Sequence, residues 1–367
     1  MLASTNYINT PMDPFKVVGI NFDHFHMGDL LRQAASTPGV EIAAICDEDP
    51  RRMEEAKRNF ELQEHQVFTD CDACLERTKP DLAVLCPSAA THGLWTKRVA
   101  VHGVHIVVEK PFAASLAEAD EMAAAVARTG KLLAINWPLR WMAVSITAKR
   151  LLDEGLIGEV LNVYHHGGNR GPLYHGADKL EKIPTTEEKA ASWFYKRDQG
   201  GGSLLDYAGY GTTLGTWYHG GRKPIEVACM TAGDPGLKVD EHSMIIARYQ
   251  TGLSKFETRW GTFTDPWILP PQPQTGFVIC GTDGTLAAWD YAEAIRVQTH
   301  DRPEGYEIPV DEPTAPFRNP IEYMVYCIRS GTPVDGPLSV ETSRIGQQIV
   351  DTALLSAREG RTVRLLE

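Results

Sequence analysis

The run Val104-His-Ile-Val-Val-Glu109-Lys110-Pro111 carries a stretch of β-branched and apolar residues abruptly into an acid, a lysine and a proline. A continuous apolar run of this kind reads as a buried parallel strand. Ligands of open α/β sheets collect at the carboxyl ends of such strands. Lysine is rarely buried without a partner, so one at that position points to work on a ligand. The proline removes a donor, stops the ladder and allows a cis peptide at modest cost. The competing reading is a solvated strand end and a turn. A second stretch, Gly200-Gly-Gly-Ser-Leu-Leu-Asp206-Tyr-Ala-Gly-Tyr210, sets an acid and a phenol four residues apart. A helix puts both on one face. His165, His166, Arg170, His175, Trp193 and Tyr195 lie in or beside a long irregular segment over 166–200. Loops of that length are usually functional or mobile, and polar and aromatic groups there suit a hydroxyl-rich ligand.

The elements that must position these groups fall into two sets. Over 15–135, apolar strands at 15–20, 41–46, 82–86, 105–108 and 132–136 alternate with helical patterns at 28–36, 50–60, 70–78, 91–102 and 115–129. Such alternation implies βαβ units and a doubly wound parallel sheet. Asp49-Pro50 is a good helix opening, with the acid at the cap and the proline in the first turn. After Trp137 the character changes. A helix over 144–154 is followed by strands at 160–165, 225–231, 243–249, 254–261, 276–280 and 285–289, which predict a largely antiparallel, open-faced sheet in an α+β domain. Helices follow at 321–330 and 339–359, then a short strand at 362–366. The expected division is a disordered lead-in over 1–13, a Rossmann domain over 14–137 and a substrate-binding and oligomerisation domain over 138–367, with the C-terminal helix placed to pack back on the first domain.

At 367 residues the chain exceeds the size at which one core keeps growing. Its net charge of −12 argues against nucleic acid and anionic membranes as partners. No apolar segment approaches a membrane span, and the first eleven residues lack the pattern of a signal peptide. Seven cysteines, an odd and scattered set, fit reduced thiols in a cytoplasm. Cys71-Asp-Ala-Cys74 has metal or redox spacing without a second pair, so packing is the expected role. The histidines of the irregular segment lack an acid or cysteine at ligand spacing, and no metal is expected.

Five segments together resemble the Gfo/Idh/MocA family, the glucose–fructose oxidoreductase and inositol dehydrogenase group. They are Ile45-Cys-Asp47, Leu85-Cys-Pro87-Ser-Ala-Ala-Thr-His92, Glu109-Lys110-Pro111, Asn136-Trp-Pro-Leu-Arg140 and Gly200-Gly-Gly-Ser-Leu-Leu-Asp206. The run at 356–361 matches the family's usual ending. The resemblance spans almost the whole chain in the right order. It implies hydride transfer between a nicotinamide cofactor and a sugar, sugar-acid or cyclitol carbinol carbon, the cofactor lying against Asn21, Phe22, Asp23, His24, His26, Asp47, Pro87, Ser88, His92, Glu109, Lys110, Pro111, Asn136 and Arg140. Asp47 ends the second strand, where an acid accepts from ribose hydroxyls and repels a 2′-phosphate. NAD is therefore favoured over NADP, with Arg51 and Arg52 keeping NADP open.

The first turn departs from the family. Asn21, Asp23 and His26 occupy three positions where glycine would let backbone amides approach a pyrophosphate. Asn and Asp tolerate left-handed backbone best among non-glycine residues, so the turn itself is expected to survive.

The glycine run resembles a loop entering a helix that faces the nicotinamide, with Lys110, Asp206 and Tyr210 catalytic. A phenol with a pKa near 10 is a poor base at neutral pH; the Lys110 ammonium is expected to favour its phenolate and to polarise the substrate oxygen. Asp206 then orients Lys110 or binds a neighbouring hydroxyl. Substrate contacts are expected from Lys110, His165, Arg170, His175, Trp193, Asp206 and Tyr210. Two alternatives are an NAD-dependent glycosidase working by transient oxidation and elimination, and a non-catalytic dinucleotide or sugar sensor. A homodimer or homotetramer is expected, because a one-layer sheet must cover its open face.

Overall fold

The computed structural model describes residues 13–176 and 179–367. The lead-in expected over 1–13 lies, apart from Asp13, outside these described residues. The first set of apolar runs forms β1 (Phe15–Ile20), β2 (Val40–Cys46), β3 (Val67–Phe68), β4 (Leu82–Leu85), β5 (His105–Glu109) and β6 (Leu133–Asn136). They make a six-stranded sheet in the order β3-β2-β1-β4-β5-β6, and every neighbouring pair is parallel. This is the strand order of a doubly wound dinucleotide fold. Such strands are covered on both faces and must be apolar throughout; all four residues of β4 are fully buried.

The crossovers are α1 (His26–Ser36), α2 (Glu54–Asn59), α3 (Cys71–Thr78), α4 (His92–Ala100) and α5 (Leu116–Ala127). Their starts follow local chemistry. Asp49 accepts from the Arg51 amide at the 3₁₀ turn Pro50–Met53 that leads into α2, Asp70 from those of Asp72 and Ala73, and Ser115 from that of Glu118. Cys71 and Cys74 are buried on α3, in packing roles. All seven cysteines are free.

Beyond β6, α6 (Ala143–Asp153) leads into β7 (Val160–Asn169). Then come α7 (Thr186–Ala191), α8 (Ser203–Tyr218), β8 (Glu226–Ala232), β9 (His242–Arg248), β10 (Leu253–Trp260), β11 (Gly276–Gly281), β12 (Gly284–Trp289), β13 (Ala294–Thr299) and β14 (Arg302–Pro309). The chain closes with α9 (Pro320–Ser330), α10 (Val340–Glu359) and β15 (Val363–Arg364). The second sheet has nine strands in the order β14-β13-β12-β11-β7-β10-β9-β8-β15. Its pairs are antiparallel except β7 with β10. Helices α6, α8 and α10 pack on it. Along β9, Ser243, Ile245 and Ala247 turn inward while Met244 and Ile246 face out. With Tyr164 and Met230 they leave an apolar open face.

The C-terminal helix α10 reaches back to the first sheet's layer. Arg344 pairs with Asp120 at 2.6 Å, Asp351 accepts from the Leu116 amide at 2.6 Å, and the Trp137 indole donates to Ser343 at 2.9 Å. Among the described residues, no helix is long and apolar enough to cross a membrane.

Candidate active site

Two elements meet at the cleft between the sheets. β5 ends in Glu109 and passes through Lys110 to Pro111 by a cis peptide. Opposite it, the chain enters α8 through Gly200 and Gly202, at φ 81° and 111°, backbone that side-chain-bearing residues rarely adopt. The pattern of α8 then puts Asp206 and Tyr210 on the face towards β5. Lys110 Nζ donates to Asp206 Oδ1 at 2.6 Å, and both side chains are almost wholly buried. The same ammonium lies 5.6 Å from the centroid of the Tyr210 ring. A buried ion pair is weak evidence for stability, so its burial at the end of a parallel strand is better explained by chemistry.

Lys110, Asp206 and Tyr210 line a cavity of about 380 Å³ with His24, His26, Asn136, His175, Tyr207, Trp267 and Asp290. That volume suits a small-molecule ligand. Burial holds the His175 ring down to about 4, helped by His26, so the imidazole is neutral at pH 7. Burial pushes the Asp290 carboxyl up to about 6, against a hydrogen bond with Thr275.

Tyr210 differs from the expectation. Burial raises its pKa well above the ordinary phenol value, and the Glu109 and Asp206 carboxylates add to the rise. The Lys110 ammonium faces the ring and is itself neutralised by Asp206, so it does not stabilise a phenolate. At neutral pH Tyr210 is therefore an un-ionised phenol.

The turn after β1 keeps its shape without glycines: Asn21 adopts φ 65°. Four of its amides, however, already have acceptors. Phe22 N donates to Asp47 Oδ2 at 2.7 Å, Asp23 N to Asn21 Oδ1 at 2.9 Å, His24 N to the Cys86 carbonyl at 2.9 Å and His26 N to His24 Nδ1 at 3.1 Å. The Asp23 carboxylate accepts from Ser88 N at 3.1 Å and pairs with Arg52. Trp193 Nε1 donates to the Asp23 carbonyl at 3.3 Å, and Trp193 stacks on Phe194 over the turn. The cavity extends along α1, past Asp29, Leu30 and Gln33, and does not include Asp47, Pro87 or Ser88 in its lining. A pyrophosphate needs free amides and no carboxylate beside it. Residues 21–26, as folded, do not fit one.

Several expected contacts are placed elsewhere. The His92 ring sits between two carbonyls, Nδ1 3.3 Å from that of Phe112 and Nε2 3.2 Å from that of Pro87, and its single N–H donates to one of them, between the end of β4 and the segment after β5. Arg140 is sandwiched by aromatic rings, 4.6 Å from Trp217 and 5.1 Å from Trp141. His165 lies fully buried beneath α8, where only a glycine at 211 leaves it room, and packs on Phe277 at 4.5 Å. His166 faces Glu257 at 3.6 Å. Arg170 is tied to Glu181 outside the cavity lining. Asn136 does line the cavity, and donates to Glu109 Oε2 at 2.7 Å.

Sequence reasoning missed Tyr207, Trp267 and Asp290 as cavity residues. Tyr207 directly follows Asp206 in the glycine motif, and Asp290 is an acid ending an apolar strand, the same signal that exposed Lys110. It also missed the convergence of His24, His26 and Glu109, whose ligand atoms lie within 4.8 Å of one another. The histidine pair next to a strand end was the available sign.

The NAD-binding Rossmann fold of the GFO_IDH_MocA oxidoreductase family matches residues 15–137, and the GFO/IDH/MocA C-terminal domain matches residues 145–287. D-apiose dehydrogenase of Rhizobium rhizogenes is 26% identical over 346 residues, covering 89% of this chain and 90% of that protein. D-apiose dehydrogenase of Paraburkholderia graminis is 32% identical over 120 residues, a match spanning 33% of this chain and 32% of that protein. The structure of an oxidoreductase domain protein from Kribbella flavida superposes with a TM-score of 0.79 at 19% identity, over 97% of this chain and 100% of that one. At that identity the likeness is one of fold.

Proposed function

Because the chain belongs to the Gfo/Idh/MocA family of oxidoreductases, we propose that its cavity takes a sugar, sugar acid or cyclitol and works on a carbinol carbon. The observation that carries this reading is the buried Lys110–Asp206 pair beneath a polar, aromatic-walled cavity. Asp206 holds the Lys110 ammonium in place, and Lys110 hydrogen-bonds the oxygen of the carbon that changes oxidation state. The neutral Tyr210 phenol donates a hydrogen bond to the same oxygen. One acid–base group serves both directions: the neutral His175 ring takes the hydroxyl proton in oxidation and, once protonated, returns it to the carbonyl oxygen in reduction. Trp267 and Tyr207 offer faces for the ligand's C–H surfaces.

Between the two dinucleotides, the residues around Asp47 suit NAD better than NADP. Asp47 ends β2, and the two arginines that could meet a 2′-phosphate are paired already, Arg51 with Asp49 and Arg52 with Asp23. The filled turn at 21–26 means that these roles rest on the chain's own side chains, and it favours a second reading: a polyol-binding protein of this fold without net redox turnover. Titrating the protein with NAD and NADP by fluorescence, then screening sugars, sugar acids and cyclitols for NADH formation, separates the two. NADH formed with at least one polyol supports the dehydrogenase; polyol binding without NADH supports the second reading; binding of neither polyol nor dinucleotide refutes both. A homodimer or homotetramer formed through the open face of the second sheet completes the proposal.

A further inference from the structure

The turn that follows β1 holds a donor set that a dinucleotide fold does not need. His24 and His26 stand on this turn, and Glu109 ends β5 beside it. One ring nitrogen from each histidine and one carboxylate oxygen lie within 4.8 Å of one another. His26 Nδ1 and Glu109 Oε1 are already 2.8 Å apart. A tetrahedral zinc-class ion has bonds of about 2.0–2.2 Å to nitrogen and oxygen, and two histidines with one glutamate are a known three-ligand set that leaves a fourth position open. Small side-chain rotations bring this cluster to that size.

Three further observations point to a ligand. His24 is 1% exposed, and its Nε2 is buried without a hydrogen-bond partner, a state that calls for an explanation in a native protein. Asn136 donates to Glu109 Oε2 at 2.7 Å, the outer-shell bond that orients a ligating carboxylate and turns its other oxygen, Oε1, towards His26. Both histidines border the same cavity as Lys110, so an open coordination position would face the substrate. The charge balance agrees. Lys110 is neutralised by Asp206, leaving the Glu109 carboxylate as the charge an ion would meet. Three of the amides that would attract an anion already have acceptors, on Asp47, Asn21 and His24.

We propose that His24, His26 and Glu109 bind one divalent transition-metal ion of the zinc class, where the fold otherwise cradles a pyrophosphate, with the open position available to water or a substrate hydroxyl. Ligation through His24 Nε2 puts the ring proton on Nδ1 and gives up the 3.1 Å bond from the His26 amide, one long hydrogen bond exchanged for a metal–ligand bond. The proposal rests on this side-chain cluster and is independent of the polyol reading, but it competes with NAD for the turn: metal bound with NAD excluded sides with the reading without net redox turnover, and NAD bound with metal excluded sides with the dehydrogenase.

The test uses the full chain, dialysed against a chelator, then titrated with Zn²⁺ by calorimetry and with Co²⁺ by visible absorption. One ion per chain at micromolar affinity or better is expected, with the d–d bands of four- or five-coordinate cobalt. His26→Gln and Glu109→Gln should each weaken binding on the order of 100-fold or more, while His242→Gln, on the distant open sheet, should leave it unchanged. His26 is the partly exposed member, so its variant keeps the test decisive should Glu109→Gln fail to fold, as judged by circular dichroism. No binding at 100 µM metal (about the weakest affinity worth calling a site), or binding that survives both ligand variants, overturns the proposal. So does micromolar binding of NAD to the metal-free protein, which would restore the turn to its pyrophosphate role.

Discussion

Replacing Asp206 by Asn strands the Lys110 ammonium. That ammonium is 2.6 Å from the carboxylate, in a site where both side chains are almost wholly buried. Breaking a buried pair by removing one partner costs about 3–5 kcal/mol, because the remaining charge is desolvated and uncompensated. The Asn amide oxygen still accepts one hydrogen bond from Nζ, which places the expected loss at the low end, ~3 kcal/mol. Adding Lys110→Met removes the stranded charge and leaves an unbranched side chain of similar length. The double variant should therefore be more stable than Asp206→Asn alone, with a coupling energy of ~2 kcal/mol. Urea denaturation of the wild type, both single variants and the double variant closes the cycle. An Asp206→Asn protein within ~1 kcal/mol of wild type, additive with Lys110→Met, would refute the reasoning, because the ammonium would then be solvated or otherwise paired.

Tyr210→Phe keeps the ring that faces Lys110 and removes the hydroxyl; circular dichroism should be unchanged and turnover should fall ~10²–10⁴-fold. The Asp290 carboxyl, buried near Tyr207 and Tyr291 and pushed up to about 6, lies above its unfolded value near 3.9. Its contribution is therefore whole below about pH 4 and is lost as the pH rises through about 6. Asp290→Asn should gain on the wild type across that window, by at most ~3 kcal/mol at pH 7, and denaturation at pH 4 and pH 7 measures the difference. A methyl group at Gly211 would stand 2.4 Å from His165 Nδ1, so Gly211→Ala should lower stability by about 1–3 kcal/mol in urea melts. Light scattering should report a dimer or tetramer, and Met244→Lys with Ile246→Glu on the open face should shift it towards monomer.

Much of this was legible because the relevant signals are local. Apolar runs of four to six residues with capped helices between them suffice for a parallel sheet, and the abrupt Glu109-Lys110-Pro111 ending marks its active edge. The i, i+4 spacing of Asp206 and Tyr210 placed both on one helical face. Other features depend on partners distant in sequence. β14 is largely exposed, and its Arg-Pro-Glu-Gly-Tyr-Glu-Ile-Pro sequence has no apolar alternation, so nothing local marks it as a strand. His165 and His166 are adjacent, and only the packing of α8 decides that His165 goes under the helix. Arg170 belongs to Glu181, eleven residues on, across an irregular segment with no period to read. The raised Tyr210 pKa follows first from how completely the phenol is buried, a matter of tertiary geometry. The glycine-free turn was visible in the sequence; that its amides would be satisfied by Asn21, Asp47, Cys86 and His24 was not.

Whether the cavity over Lys110 works on a polyhydroxylated small molecule is tested most directly by following a panel of sugars, sugar acids and cyclitols by NMR with wild-type protein and with Lys110→Met, each supplied with NAD and with zinc. At least one member should be converted by the wild type, with kcat/KM lower by ~10²-fold or more in the folded Lys110→Met protein. Conversion at an undiminished rate in that variant, or no conversion of any member by the wild type, would contradict the account.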